Sequence, residues 1–270
     1  MRTPLFAAVL GLSLVGCLVG DEGMPGSTGG GDPTGSGSGS NTGSGSGSGS
    51  GSDSNPVPKL GMSIDKPAVS TELLSTNMVT VTLQGSGGFA GSVALAASVV
   101  DPAVGTAITG WTVALDKSTV DVAADGTATA VVTLAIPSQS TLLAGTIKIE
   151  ATATGQTVPP AMSTVTVAKQ LSLPMTLAGT TCAQETNKAL TISQGTKVVF
   201  KNGDAAKRIT IHVQNGGGTQ GISGFAHEPD PGMAPTTGTY EQTANGTGTI
   251  TWYCHAPGTD NNRYTITAVP

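Results

Sequence analysis

The sequence predicts an all-β protein: two β-sandwich domains carried on a long flexible tether. Three observations support this. Short runs of Val, Thr, Ile and Leu alternate with polar residues at period two, the pattern of half-buried strands. Gly (39) and Pro (16) interrupt these runs, and no segment reads as a helix. The 270 residues suit about two domains. Charged residues make up 11%, well under the ~25% usual for soluble domains. With a formal net charge of −5, the basic footprint of a nucleic-acid binder is missing, so no nucleic-acid partner is expected. No apolar run reaches the ~18 residues of a membrane-spanning helix.

Residues 1–16 read as an export signal, with Arg2 giving a positive start and Leu5 to Val15 an apolar run. The run ends in Leu14-Val15-Gly16-Cys17, which resembles the bacterial lipobox. The resemblance implies acylation of Cys17 and attachment to a membrane through the lipid. Leu18 follows the cysteine where an Asp would resemble an inner-membrane retention signal, so the expected location is the outer membrane of a Gram-negative bacterium. Residues 17–56 form the tether, and Gly35 to Ser52 is almost wholly Gly and Ser. Such a segment buries too little apolar surface to offset its ordering entropy and is expected to be disordered. As a flexible coil it reaches about 35 Å.

Residues 57–170 read as strand after strand. Val79 to Leu83, Ser92 to Leu95, Thr112 to Leu115, Thr119 to Val122, Thr127 to Ile136, Thr146 to Ala153 and Thr164 to Val167 give seven. Seven short strands spaced by turn signals indicate an antiparallel sandwich. The stretches Gly88-Phe89-Ala90-Gly91-Ser92-Val93-Ala94-Leu95 and Ala144-Gly145-Thr146-Ile147-Lys148-Ile149 resemble bacterial Ig-like repeats, which implies a spacer or adhesive module. Asp116, Asp121 and Asp125 are read as turn and strand-surface residues in preference to a calcium site. Trp111 is expected in the core.

Residues 171–270 hold all three His, two of the three Cys and six of the nine aromatic residues. Leu190 to Asp204 reads as strand, Gly turn, strand, turn; Arg208 to Val213, Thr249 to His255 and Tyr264 to Val269 are further strands. The motifs LTISQGTKVVFKNGD (190–204), GTITWYCHAPG (248–258) and YTITAV (264–269) resemble those of the cupredoxin, or plastocyanin/azurin-like blue-copper, family. The resemblance implies a Greek-key β-sandwich, copper as cofactor, electron transfer or copper handling, and a redox protein as partner. It places Cys254 at the family's thiolate ligand, and a Cys with two imidazoles suits copper in both oxidation states. The sequence departs from the pattern elsewhere. Arg208 stands where the family has its first His, Ala256 to Gly258 where it has its second, and Asn261 to Arg263 where it has its axial Met.

A second pattern, RITIH…GFAH…WYCH, resembles cupredoxin-like domains related to multicopper oxidases. It implies that His212 and His255 share a metal, with His227 as a third imidazole. Three neutral imidazoles suit Cu(II) or Zn(II). Cys182 and Cys254 are read in two ways. Once Cys17 is acylated they are the only remaining pair in an oxidising compartment, which suggests a disulfide; the alternative keeps Cys254 as a metal ligand. The two function readings follow from these: a copper-binding envelope lipoprotein, or a metal-free cupredoxin-fold binding or structural module locked by Cys182–Cys254. Neither is an enzyme. Gly221-Ile222-Ser223-Gly224 lacks the strand-to-helix setting of a nucleophile elbow, and no phosphate-binding or dinucleotide loop occurs in a strand–helix context.

Overall fold

The computed structural model describes residues 56–178, 181–183, 188–215, 221–256 and 260–270. The export signal, Cys17 and the tether up to residue 55 lie outside them. Every regular element among the described residues is a β-strand, and all belong to one compact unit, Asp53–Pro270.

The first nine strands are β1 (Lys59–Ile64), β2 (Ala68–Glu72), β3 (Thr76–Ser86), β4 (Gly91–Val100), β5 (Thr112–Leu115), β6 (Thr119–Val122), β7 (Thr127–Ala135), β8 (Ala144–Thr152) and β9 (Ala161–Ala168). They form two sheets, ordered β1-β3-β7-β5 and β2-β9-β8-β4-β6. The alternation in the sequence decides which side chains go inside. In β3, Val79, Val81 and Leu83 are buried, and their antiparallel partner β7 buries Ala130, Val132 and Leu134. From the other sheet Ile147, Ile149, Val165 and Val167 close the core. β1 and β2 were not expected from the sequence. Each has a single buried side chain, Leu60 and Val69; the alternation of Leu60, Met62 and Ile64 in β1 is short and only partly buried.

Gly145 and Trp111 explain each other. Trp111 is buried and its indole Nε1–H donates to Ser140 Oγ at 2.9 Å. A Cβ on Gly145 would lie 2.7 Å from the Trp111 ring, so only glycine lets β8 pass beneath the indole. Asp116 and Asp125 act as turn residues: Asp116 Oδ1 accepts the Val131 N–H at 2.6 Å, and Asp125 Oδ1 the Gly88 N–H at 2.7 Å.

The remaining strands are β10 (Gln170–Ala178), β11 (Thr181–Ala183), β12 (Ala189–Ser193), β13 (Lys197–Asn202), β14 (Thr210–Asn215), β15 (Thr239–Thr243), β16 (Gly248–His255), β17 (Asp260–Asn261) and β18 (Arg263–Val269). Their sheets are ordered β15-β13-β10-β11-β17 and β12-β18-β16-β14. Only Lys169 separates β9 from β10, and one buried cluster runs on from Val69, Leu73 and Ile136 through Leu171 and Leu173 to Phe200 and Trp252. The aromatic centre is tight: Trp252 stacks on Tyr264 with centroids 4.6 Å apart, and Phe200 meets Trp252 edge-on at 4.9 Å.

Replacing Gly145 with Ala is expected to destabilise the fold by about 1–3 kcal/mol, the usual cost of forcing a methyl group into a packed core. Urea unfolding followed by Trp fluorescence measures it. A Trp111→Leu background, which removes the ring edge, should reduce the penalty.

Candidate metal centre

β16 shows how the site is divided. Its burial alternates, so Ile250, Trp252 and Cys254 face the core while Thr251, Tyr253 and His255 face outward. Cys254 is bonded to Cys182, with Cα atoms 5.7 Å apart and a sequence separation of 72. A sulfur in a disulfide offers no thiolate to a metal ion. Moreover, β16 stays paired with β14 through His255, which lies opposite Thr210. The strand therefore does not break between Cys254 and His255, and their side chains stay on opposite faces. Of the four residues read as ligands, Cys254 is the one the structure sets apart.

The other three come together. His212 on β14 lies directly opposite Tyr253 on β16, and their rings stack in parallel at 4.7 Å. His255 meets the His212 ring edge-on, with centroids 5.5 Å apart. His227 arrives from the segment after β14 and meets His212 at 4.1 Å, also edge-on. On the far side of Tyr253, in register on β18, the Arg263 guanidinium sits 5.5 Å from the phenol ring centroid and donates to Gln214. A row from Arg263 through Tyr253 and His212 to His227 thus crosses the outer face of the sheet.

Hydrogen bonding fixes the protons. The His227 Nδ1 lies 2.6 Å from the Glu228 carbonyl oxygen. A carbonyl only accepts, so Nδ1 carries the proton and, in the neutral ring, Nε2 presents a lone pair. That Nε2 lies 2.5 Å from His212 Nδ1, which then donates to it. The segment itself is held against the open edge of β14. Ile211 N–H donates to Glu228 Oε2 at 2.8 Å, Glu228 N–H to the Ile211 carbonyl at 3.0 Å, and Met233 and Ile209 exchange main-chain bonds. Met233 itself is buried in the core cluster.

Burial, followed by the charges of His227 and His255, pushes the His212 imidazole below the usual histidine range, with Asp230 opposing. Burial pushes the Glu228 carboxyl above the usual carboxylate range, against the Ile211 N–H, His227 and the Met233 N–H. Among the described residues, no three His, Cys, Asp or Glu groups are placed to hold a metal ion as they stand. The reason lies in the spacing. Tetrahedral Zn–N bonds of about 2.05 Å need nitrogens some 3.3 Å apart, whereas the His212–His227 pair sits at proton-sharing distance. The three imidazoles gather on one face without forming a coordination shell, and the Cys254 disulfide leaves no thiolate for a blue-copper site.

The sequence named all three imidazoles but missed Glu228, Tyr253 and Arg263. Glu228 carried one signal, as a charge beside a His in a chain with few charges. The Tyr253 and Arg263 roles depend on strand register, which no local motif reports.

No family model matches the chain, and no curated protein sequence matches it significantly. Among solved structures, the chain is similar to domains 5–6 of the S-layer protein SbsC, with 14% identity, 79% of this chain and 99% of that one covered, and a TM-score of 0.30. It is also similar to a structure of SbsC domains 4 and 5, with 18% identity, 41% of this chain and 53% of that one, and a TM-score of 0.29. The E. coli chaperone DraB matches at 9% identity over 76% of this chain and 96% of that one, with a TM-score of 0.29. Likeness at this level carries no statement about function.

Burial, with the charges of His227 and His255, makes the His212 imidazole harder to protonate in the fold than in the unfolded chain. In the window between that lowered value and the usual ~6.5, the unfolded chain binds more protons, so this residue's share of stability is lost as pH falls. His212→Gln should therefore lose less stability than the wild-type chain when urea unfolding at pH 7.5 is compared with pH 5.

Proposed function

We propose that the chain is an export-directed, lipid-tethered envelope module. It holds a divalent copper or zinc ion through His212, His227 and His255, serving metal handling without electron transfer. The observation that carries this reading is the convergence of three imidazoles on one outward face, with the His227 Nε2 lone pair turned toward His212. Imidazole nitrogens suit Zn(II) and Cu(II), whereas stable Cu(I) sites draw on soft sulfur, and the sulfur of Cys254 is committed to the disulfide. The ion would be taken up and released there, and the chain's own part is to present imidazole nitrogens. Asp230 and Glu228 supply negative charge near them. In this reading the Cys17 lipid and the Gly/Ser tether, which precede the described residues, hold the module off the outer membrane. The cupredoxin-like sandwich is then a scaffold without its thiolate centre, and no redox protein partner is required.

The Cys182–Cys254 bond and the lack of a finished shell among the described residues favour a second reading, a metal-free binding or structural module. Native mass spectrometry and calorimetry on the oxidised full chain separate the two. One Zn(II) or Cu(II) per chain is expected, with affinity falling at least tenfold on His212→Ala and again on His255→Ala. The Cys182→Ser/Cys254→Ser double variant should keep its ion if it folds. A wild-type chain that takes up neither ion leaves the metal-free module. The same double variant should lose about 4 kcal/mol of stability, from the loop-closure entropy of a 72-residue separation, measured by urea unfolding with and without a dithiol.

A further inference from the structure

Glu228 is the only charged residue among the described residues that is buried, at 5% exposed. Neither ion pair, Lys148–Glu150 or Lys197–Glu241, includes it. A carboxylate removed from water is costly unless hydrogen bonds hold it, so the bonds it makes show what the burial achieves. Besides the Met233 N–H on its carboxyl, three bonds tie it to Ile211 and His227. Its Oε2 accepts from Ile211 N–H at 2.8 Å, its own N–H donates to the Ile211 carbonyl at 3.0 Å, and its carbonyl accepts from His227 Nδ1–H at 2.6 Å.

Ile211 and Glu228 each adjoin a histidine of the cluster. Clamping residue 228 onto residue 211 sets residue 227 beside residue 212, and the third bond turns the His227 ring. Metal-binding histidines commonly have the second ring nitrogen fixed in this way, by a carbonyl or carboxylate. Here the main chain of one residue sets the tautomer while its side chain anchors the segment. We propose that Glu228 is the positioning residue of the imidazole centre, its carboxylate reaching the open edge of β14 so that His227 Nε2 stays turned toward His212. The proposal rests on the metal reading above for its purpose, and on the hydrogen bonds for its geometry.

Reach and charge are separable. Glu228→Gln keeps an oxygen at the same reach and removes the charge; Glu228→Asp keeps the charge and is one methylene short. Two measurements on the full oxidised chain apply to wild type and both variants: Zn(II) affinity by calorimetry, and ring ¹⁵N shifts of the metal-free protein. With three histidines in the chain, the His227 signals can be assigned by substitution. Glu228→Gln is expected to stay within about threefold of wild-type affinity and to keep the Nδ1–H tautomer of His227. Glu228→Asp is expected to lose roughly ten- to a hundredfold in affinity, as outer-sphere changes do, and to show mixed tautomers. An Asp variant equal to wild type in both measurements overturns the proposal. So does a Gln variant that loses affinity and tautomer, including the case in which Asp fails to fold. A wild type that binds no Zn(II), with the tautomer fixed and lost only in Asp, overturns the metal reading and leaves the positioning role standing.

Discussion

An open strand edge is the constraint on which the candidate centre depends. β14 ends its sheet, and main-chain N–H and C=O groups exposed along such an edge must find partners or invite another chain. Here the partners come from the segment that follows in sequence. Glu228 and Met233 return to bond Ile211 and Ile209, so the edge is closed from within. Closing it in that register also delivers His227. The cluster is thus a by-product of satisfying the backbone: once residue 228 caps residue 211, the adjacent imidazole has little choice but to meet His212. Tyr240 secures the same segment from another direction, its hydroxyl donating to the Ala226 carbonyl at 3.0 Å.

The second constraint is the two-residue period of a strand. Cys254 and His255 are neighbours in sequence, and for that reason they cannot serve one ion while β16 remains regular. The inward residue joins Cys182 in the same buried cluster as Trp252, Tyr264 and Phe200. The outward one joins the imidazoles. A single strand therefore carries a covalent anchor on one face and a polar site on the other, and the step between them is one residue.

How much of this was legible follows from which features are local. The period-two runs of β3, β7, β8 and β16 announce themselves because each buries several side chains in alternation. The all-β class follows from them alone. β10 was not legible: Pro174 interrupts a run that nonetheless pairs in parallel with β13, opposite Lys201, and proline in a strand argues against the assignment. β11 and β17 are too short to carry a period at all. The three histidines could be named, since His is scarce in the chain and confined to its last hundred residues. Their convergence depends on the pairing of β14 with β16 and on the Ile211–Glu228 clamp, both non-local. Hydrophobic alternation along β16 can be read from a local run of sequence, whereas which side chains share a site depends on strand register.

The disulfide and the imidazole cluster act on the same place from opposite sides. The Cys182–Cys254 bond restricts the unfolded chain, whereas an ion held by His212, His227 and His255 would favour the folded one by mass action alone. Neither needs the other's atoms, since one lies inside the sheet and the other outside. Both converge on the last two residues of β16, just before the chain leaves the sheet. That end of the strand is where fraying would first separate His255 from His212. A covalent tie one residue away holds the outer face in register, so the placing of His255 beside His212 depends on no ion.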